Sequence, residues 1–156
     1  MFPTTKMKGF HSSMQIFFTV PGAPVPKARP RGRIAKNRYG YQIVSMYTPK
    51  TTATFENKVG YYFSMKYTFD PIDEPVRVCV AAYFPIPQSW PKKKKEHAQY
   101  HTVPVVTKPD CDNIIKSILD GLNGIAFVDD KQVFALSISK YYSINPRTEI
   151  SISTEA

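Results

Sequence analysis

The sequence is poor in cysteine and has no long apolar run. Its two cysteines, Cys79 and Cys111, supply neither a disulfide framework nor the paired spacing of a zinc site, so reduced thiols are expected. No segment approaches the roughly 18 consecutive apolar residues of a membrane-spanning helix, and the N-terminus lacks the apolar centre of a signal peptide. These absences predict a cytoplasmic protein without a membrane-embedded part.

Acidic residues are also scarce, and they are unevenly placed. The chain has 12 Asp and Glu against 21 Lys and Arg. Residues 1–108 carry 17 cations and 5 anions, whereas residues 109–156 carry 4 cations and 7 anions. A basic body around an acidic centre is typical of a metal-dependent nuclease, in which cations hold the phosphate backbone and carboxylates hold the metal. The alternative is a basic protein whose charges are simply solvated.

The hydrophobic content of 42% over 156 residues is that of one folded domain. Residues 1–13 show no periodicity and are predicted to be a flexible extension, which leaves 14–156 as the domain. Alternating or β-branched segments predict strands at 14–20, 39–47, 75–85, 133–142 and 149–153, and apolar spacings of three and four predict helices at 48–66 and 113–122. A third helix is predicted within 87–100, with Ser89 as a possible cap and Pro91 in its first turn. We therefore expect an α/β protein of the α+β type, with a small mixed sheet and two or three helices. Cys79 is expected in the core of a central strand.

A basic segment, residues 21–38, follows the first predicted strand. Its prolines prevent a helix, so its cations are presented along an extended backbone. We interpret the segment as an arm that binds nucleic acid, and its candidate contacts are Lys27, Arg29, Arg31 and Arg33. The alternative is a proline-stiffened surface loop with solvated charge.

Four consecutive lysines form a second candidate DNA-binding cluster, which consists of Lys92, Lys93, Lys94 and Lys95. They follow Trp90 at the start of a predicted helix. Because four successive helical positions point around about a full turn, only two or three of these lysines can face one ligand. A solvated helix face is the alternative for each of them. Trp90 is expected to anchor the helix to the core rather than to stack on a base.

Two aspartates, Asp110 and Asp112, precede the third predicted helix. If the backbone between them is extended, both carboxylates lie on one face with Cα atoms about 7 Å apart, close enough to bind one or two metal ions. Helix capping is the alternative, and it is the better interpretation for a single Asp at a helix start. Two aspartates at this spacing weaken it, because one helix needs one cap.

One stripe of the third helix presents Asp112, Lys116 and Asp120, outside the apolar face. These residues could form a ladder of ion pairs worth about 0.3 kcal/mol each. Alternatively, Lys116 is the cation that binds the scissile phosphate or stabilises the charge developing on it. Asp120 lies about 12 Å along the helix axis from Asp112, so we expect it to have a structural or supporting role.

The last acidic pair, Asp129 and Asp130, lies at a strand end or turn. Adjacent residues of an extended chain face opposite ways, so one carboxylate is expected at the metal. The other is expected to support the site or to cap the turn before Gln132. The residues alone leave open which aspartate has which role.

Three segments together resemble the RusA family of Holliday junction resolvases, found in bacteria and their prophages. They read PGAPVPKARPR from residue 21, SWPKKKK from residue 89 and KPDCDNIIKSILDGLNGIAFVDDKQV from residue 108. The resemblance implies that Asp110, Asp112 and Asp130 are catalytic, metal-binding aspartates. It further implies that Lys116 is a catalytic lysine and that Asp129 is a neighbouring acid that supports the metal site.

The same resemblance implies an α/β homodimer that uses Mg²⁺ or Mn²⁺ and acts on a four-way DNA junction. Symmetry agrees with a dimer, because paired nicks in a two-fold junction need two sites at a fixed separation. The expected function is a metal-dependent, structure-selective endodeoxyribonuclease that resolves Holliday junctions by paired symmetric nicks in DNA recombination and repair. The alternatives are a non-catalytic junction-binding module and a nuclease acting on flaps or forks.

Overall fold

A computed structural model describes residues 13–154. The extension predicted at 1–13 lies outside the described residues except for Ser13. The described part folds into six strands and three helices, in the order β1 (Gln15–Pro21), β2 (Arg31–Lys36), β3 (Gln42–Tyr47), α1 (Lys50–Lys66), β4 (Val76–Pro85), α2 (Lys92–Gln99), α3 (Cys111–Leu122), β5 (Val133–Ser143) and β6 (Arg147–Thr154). The predicted single-domain α+β class is confirmed. No helix within 13–154 is long and apolar enough to cross a membrane.

The main sheet has the strand order β1-β6-β4-β5 and is mixed. Strand β4 is central, since it pairs in parallel with β5 and antiparallel with β6. Its alternating residues Val76, Val78 and Val80 are buried in one core with α1 and α3. Cys79 projects from the other face of β4 and is only half-buried, so its prediction as a core residue is wrong. The apolar core formed with α1 and α3 covers only one face of β4. Cys79 lies on the other face, because successive side chains of a strand point to opposite sides.

Helices α1 and α3 pack against each other with their backbones in close approach. A Cβ atom added to Gly121 of α3 would lie 2.7 Å from the carbonyl oxygen of Glu56 in α1, nearer than side chains can come. In the apolar face predicted for the third helix, Ile114, Ile118 and Leu122 are fully buried, and Leu119 is partly buried at its edge. This contact places Asp120, in the polar stripe of α3, close to Glu56 of α1.

Strands β2 and β3 form a separate antiparallel hairpin. Strand β3 was expected, whereas the sequence predicted only an extended arm where β2 lies. Pairing places Ile34, Val44 and Met46 on one face, with exposed fractions of 71%, 71% and 61%. Arg31 and Arg33 project from the opposite face. The hairpin therefore extends from the domain with a cationic face and an apolar face, both exposed.

Candidate active site

The acidic centre begins where α3 begins. Asp110 is the residue that precedes the helix, with φ −73° and ψ 149°, and its side chain makes no capping hydrogen bond. Its carbonyl oxygen accepts the first helical bond from the Ile114 amide at 3.1 Å. Asp112 therefore lies in the first helical turn, and the extended backbone considered for Asp110–Asp112 is wrong. Both carboxylates are exposed. The capping alternative is not realised for Asp110, so its carboxylate remains available to bind a ligand.

The proline-rich stretch before β2 lies against α3. The Ser117 hydroxyl donates to the Val25 carbonyl oxygen at 2.7 Å, and the Lys27 amide donates to the Asn113 carbonyl oxygen at 2.7 Å. On the other side of the site, the Lys140 ammonium of β5 donates to the Pro109 carbonyl oxygen at 3.1 Å. The segments on both sides of the acidic centre are thus tied to it by hydrogen bonds. The sequence offered no signal for the role of Lys140, because its partners are backbone atoms.

Lys116 lies between two carboxylates. Its Nζ is 2.8 Å from Oδ1 of Asp120 and 3.4 Å from Oδ2 of Asp130. The hydrogen bond with Asp120 is the main cause that raises the pKa of Lys116, and the bond with Asp130 adds to it. Lys116 is therefore a full cation at neutral pH. Its side chain is 53% exposed, so an incoming phosphate can reach it.

The neighbouring aspartates of the second acidic pair have different surroundings. Asp129 precedes a single 3-10 turn at Asp130–Gln132, and its Oδ1 accepts from the Lys131 amide at 2.9 Å. The Asp129 amide in turn donates to Oε1 of Gln132 at 2.8 Å. The backbone bond from Lys131 lowers the pKa of Asp129. Asp129 therefore caps the turn, which leaves Asp130 to face Lys116.

Asp120 has a second cationic partner, Lys27. Oδ2 of Asp120 lies 2.9 Å from Nζ of Lys27, and the same ammonium lies 2.6 Å from Oε1 of Glu56. Burial alone would raise the pKa of Asp120, but the hydrogen bonds from Lys116 and Lys27 outweigh it and the pKa lies below its usual value. The hydrogen bond with Glu56 is the main cause that raises the pKa of Lys27. Lys27 was predicted to be one of the DNA-binding cations, whereas the structure pairs it with two carboxylates of its own chain.

The three arginines of the basic segment, Arg29, Arg31 and Arg33, are exposed. Arg29 lies in the stretch that leads into the hairpin, and the other two belong to β2 itself. Their side chains are therefore open to a large ligand such as DNA. Their role in DNA binding stays a prediction.

The four lysines predicted to bind DNA open helix α2, and they are not equally open. Lys92, Lys93 and Lys94 are exposed, whereas Lys95 is half-buried. Lys93 and Lys94 line one shallow depression together with His97, so at least these two lysines can face a common ligand. Lys95 is the least accessible of the four. This agrees with the expectation that only two or three of them can serve one ligand, while DNA binding itself stays a prediction.

Trp90 packs on Tyr142 with ring centroids 4.9 Å apart, which confirms that it anchors α2 to the core. Nζ of Lys94 lies 3.8 Å from the centre of the Trp90 ring, so the ring also makes a cation–π contact with one of the exposed lysines. Among residues 13–154, the ion pairs of the acidic centre come from Lys27 and Lys116 and not from α2. The α2 lysines thus form a second basic surface, separate from the carboxylates of α3.

Residues 21–153 match the protein family described as "Endodeoxyribonuclease RusA". The chain belongs to the RusA family. It is also 40% identical over 139 residues to the uncharacterized protein YqaN of Bacillus subtilis (strain 168), an alignment that covers 88% of this chain and 94% of that relative. The RusA match spans the basic segment, the α2 lysines and the whole acidic centre. Membership supports a nuclease of the Holliday junction resolvase class, as the resemblance implied.

RusA nucleases generally depend on a divalent metal, and the oxygen donors present here suit one. Asp110, Asp112 and Asp130 offer carboxylates, the ligands that hard cations such as Mg²⁺ prefer. Within 13–154, no group of three His, Cys, Asp or Glu side chains is arranged to hold a metal ion by itself. This arrangement is compatible with Mg²⁺, which is commonly bound by one or two carboxylates together with water and substrate phosphates. These carboxylates would suit a Mg²⁺ site only if water and substrate phosphates supplied the remaining ligands.

Proposed function

We propose that this RusA-family chain is a Mg²⁺-dependent endodeoxyribonuclease that resolves four-way DNA junctions by paired symmetric nicks during recombination and repair. One observation carries the proposal. The reachable ammonium of Lys116 lies 3.4 Å from Asp130. Lys116 belongs to α3, and the start of this helix presents the exposed carboxylates of Asp110, which precedes it, and Asp112, in its first turn. Metal-assisted phosphodiester hydrolysis needs carboxylates that hold the metal and a cation that stabilises the charge developing on the phosphate.

Asp110, Asp112 and Asp130 would hold Mg²⁺, and Mn²⁺ could replace it. Asp129 supports this set through its cap, which fixes the turn from which Asp130 projects. A bound divalent cation supplies Lewis-acid chemistry, activating water and neutralising charge on the phosphate. The protein contributes the orientation of these carboxylates.

Lys116 contributes a positive charge beside the scissile phosphate. Its ammonium binds a non-bridging phosphate oxygen and stabilises the charge that grows there as water attacks phosphorus. In-line attack forms a new phosphorus–oxygen bond and breaks the bond to the 3′ oxygen, which leaves as a hydroxyl after protonation. The products are a 5′-phosphate and a 3′-hydroxyl, the ends that a ligase can rejoin.

The exposed cations would hold the junction arms. They come from the basic segment and from the start of α2, and they are Arg29, Arg31, Arg33, Lys92, Lys93 and Lys94, with the half-buried Lys95 at the edge of the set. Contacts of this kind go mainly to phosphates, so binding depends on salt and on DNA shape more than on base sequence. Two copies of the chain, related by a two-fold axis, would supply the two active sites that symmetric nicking requires.

A cleavage assay on a synthetic four-way junction tests the proposal. With Mg²⁺ the parent protein is expected to give paired nicks, and with EDTA it is expected to bind the junction without cutting it. Asp112→Asn should bind but not cut. Asp70→Asn, which changes an exposed acid in the segment between α1 and β4, serves as the matched control and should cut like the parent.

Other outcomes would favour the alternatives. Junction binding without cleavage by the parent in Mg²⁺ would favour a non-catalytic binding module. Faster cleavage of flaps or forks than of four-way junctions would favour a nuclease for those structures. Full activity of Asp112→Asn would refute the metal-site assignment.

A further inference from the structure

Lys27 differs from the cations that follow it in the same basic segment. Arg29, Arg31 and Arg33 are exposed, but the Lys27 side chain is only 24% exposed and forms ion pairs with two carboxylates. A cation in two short ion pairs is a poor phosphate ligand, because binding DNA would require it to leave both partners. Its position indicates a role within the protein.

The backbone around Lys27 is held on both sides. The Lys27 amide bonds to Asn113 of α3, and the following amide, that of Ala28, donates to Oγ1 of Thr52 in α1 at 3.2 Å. The Thr52 hydroxyl also donates to the Pro26 carbonyl oxygen at 3.2 Å. Lys27 therefore projects its ammonium from a backbone that is fixed to both helices.

From this anchored position, an alternating series of charges leads to the active site. Glu56 contacts Lys27 at 2.6 Å, and Lys27 contacts Asp120 at 2.9 Å. Asp120 contacts Lys116 at 2.8 Å, and Lys116 contacts Asp130 at 3.4 Å. The close approach of α1 and α3 at Gly121 makes the series possible, because it brings the Glu56 turn beside the Asp120 turn.

The two oxygens of Asp120 have different partners. Oδ1 faces Lys116 and Oδ2 faces Lys27, so the carboxylate cannot rotate without weakening one of the two ion pairs. Without Lys27, the Oδ2 end would be free and the carboxylate could turn. The Lys116 ammonium would then have one fixed partner fewer and a wider range of positions.

We propose that Lys27 is a positioning residue: by holding Asp120, it fixes the Lys116 ammonium at the place where the scissile phosphate binds. This inference rests on the proposed function, since it assigns Lys116 a part in cleavage. Lys27 is then not one of the cations that bind DNA. Asp120 is the residue that links Lys27 to Lys116. It also predicts that removing Lys27 slows the chemical step and leaves junction affinity unchanged.

The test compares Lys27→Met with the parent on a synthetic four-way junction. Single-turnover cleavage in Mg²⁺ at saturating protein gives the rate constant, and titration in EDTA gives Kd. We expect the rate constant to fall by between about 10-fold and 100-fold, the effect of a small misplacement of a catalytic group, with Kd unchanged within about twofold. Lys27→Arg keeps the charge and should recover part of the rate.

Two controls separate positioning from loss of charge or of folding. Lys50→Met removes an exposed lysine at the start of α1 and should leave the rate constant and Kd at parental values. Lys27→Met combined with Glu56→Gln removes the carboxylate that Lys27→Met leaves unpaired. If the slow rate came only from that unpaired carboxylate, the double variant would cleave like the parent and the proposal would be wrong.

A second readout does not need cleavage. The side-chain ¹H–¹⁵N signal of Lys116, assigned by its loss in Lys116→Arg, should shift or broaden in Lys27→Met but not in Lys50→Met. An unchanged Lys116 signal, or a weaker Kd with an unchanged rate constant, would overturn the inference and return Lys27 to the DNA-binding set. If the parent does not cleave, the proposed function fails, and the NMR signal alone then decides whether Lys27 positions Lys116.

Discussion

Helix α3 buries most of one face in the core, whereas the β2–β3 hairpin is exposed on both of its faces. The helix carries carboxylates and one lysine, held by ion pairs and by hydrogen bonds from neighbouring segments. The hairpin carries arginines whose side chains extend into solvent. The difference would suit the two tasks proposed for these regions: chemistry requires groups held within a fraction of an ångström, while phosphate binding requires charge that can adapt to the shape of DNA.

The largest effect that we predict is on the cleavage rate constant, and it should differ between the neighbouring carboxylates Asp129 and Asp130. Asp130→Asn should lower the cleavage rate constant on the order of 1,000-fold, since a bound metal supplies several kcal/mol of stabilisation. Asp129→Asn keeps the oxygen that accepts from Lys131 and should cost only about 10-fold to 100-fold. Single-turnover cleavage measures both. Equal losses of rate in the two variants would contradict the assignment of Asp129 as the cap of the turn and Asp130 as the metal ligand.

The next effect compares one residue type in the two regions. Ile118 of α3 is 0% exposed and Ile34 of the hairpin is 71% exposed. Ile118→Ala should lower the free energy of unfolding by about 2 to 5 kcal/mol, because it leaves a cavity in the core. Ile34→Ala should change it by less than about 0.5 kcal/mol. Urea unfolding measures both values, and a large loss at Ile34 would show that the hairpin face is covered.

A smaller effect concerns the salt dependence of DNA binding. Arg31→Gln and Arg33→Gln should each weaken junction binding and lower the slope of log Kd against log salt by about 1, if each arginine neutralises one phosphate. Lys27→Met should leave that slope unchanged, although it removes the same charge from the same segment. Titration of the junction at several salt concentrations gives the slopes. A reduced slope for Lys27→Met would mean that Lys27 also binds a phosphate, as Arg31 and Arg33 are proposed to do.

The smallest effect is on stability in acid. The pKa of Asp120 lies below its usual value in the folded protein, so its ion pairs stabilise the fold above the unfolded pKa and lose that effect as pH falls through the folded pKa. Asp120→Asn should therefore be less stable than the parent at pH 7 by about 1 kcal/mol, with the gap closing below about pH 4. Urea unfolding at both pH values measures the gap, and a constant gap would assign the loss to packing.

Much of the fold was predictable because burial is recorded locally in the sequence. The alternation of Val76, Val78 and Val80 predicted a central strand, and the spacing of Ile114, Ile118 and Leu122 predicted the buried face of α3. Strand β2 was missed because its residues alternate cation and small or apolar residues without a buried face. Its pairing with β3 depends on the partner strand more than on its own pattern.

The candidate site was predictable in its residue types but only partly in its geometry. The stripe of Asp112, Lys116 and Asp120 followed from helical periodicity, and the Lys116–Asp120 ion pair agrees with it. The helix, however, begins at Cys111, two residues earlier than predicted, because the Asp110 carbonyl accepts the first helical bond. Which of Asp129 and Asp130 faces Lys116 depends on how their turn lies against α3, which local spacing does not reveal.

The sequence by itself determined the class of fold, the concentration of acids on one helix and the RusA character of the chain. Each of these depends on residues close together in the chain, where periodicity and spacing are informative. Only the tertiary structure decided that Lys27 lies among carboxylates and that Asp130 faces Lys116. Val25 and Ser117, for example, meet although they are 92 residues apart, because the proline-rich stretch before β2 packs on α3.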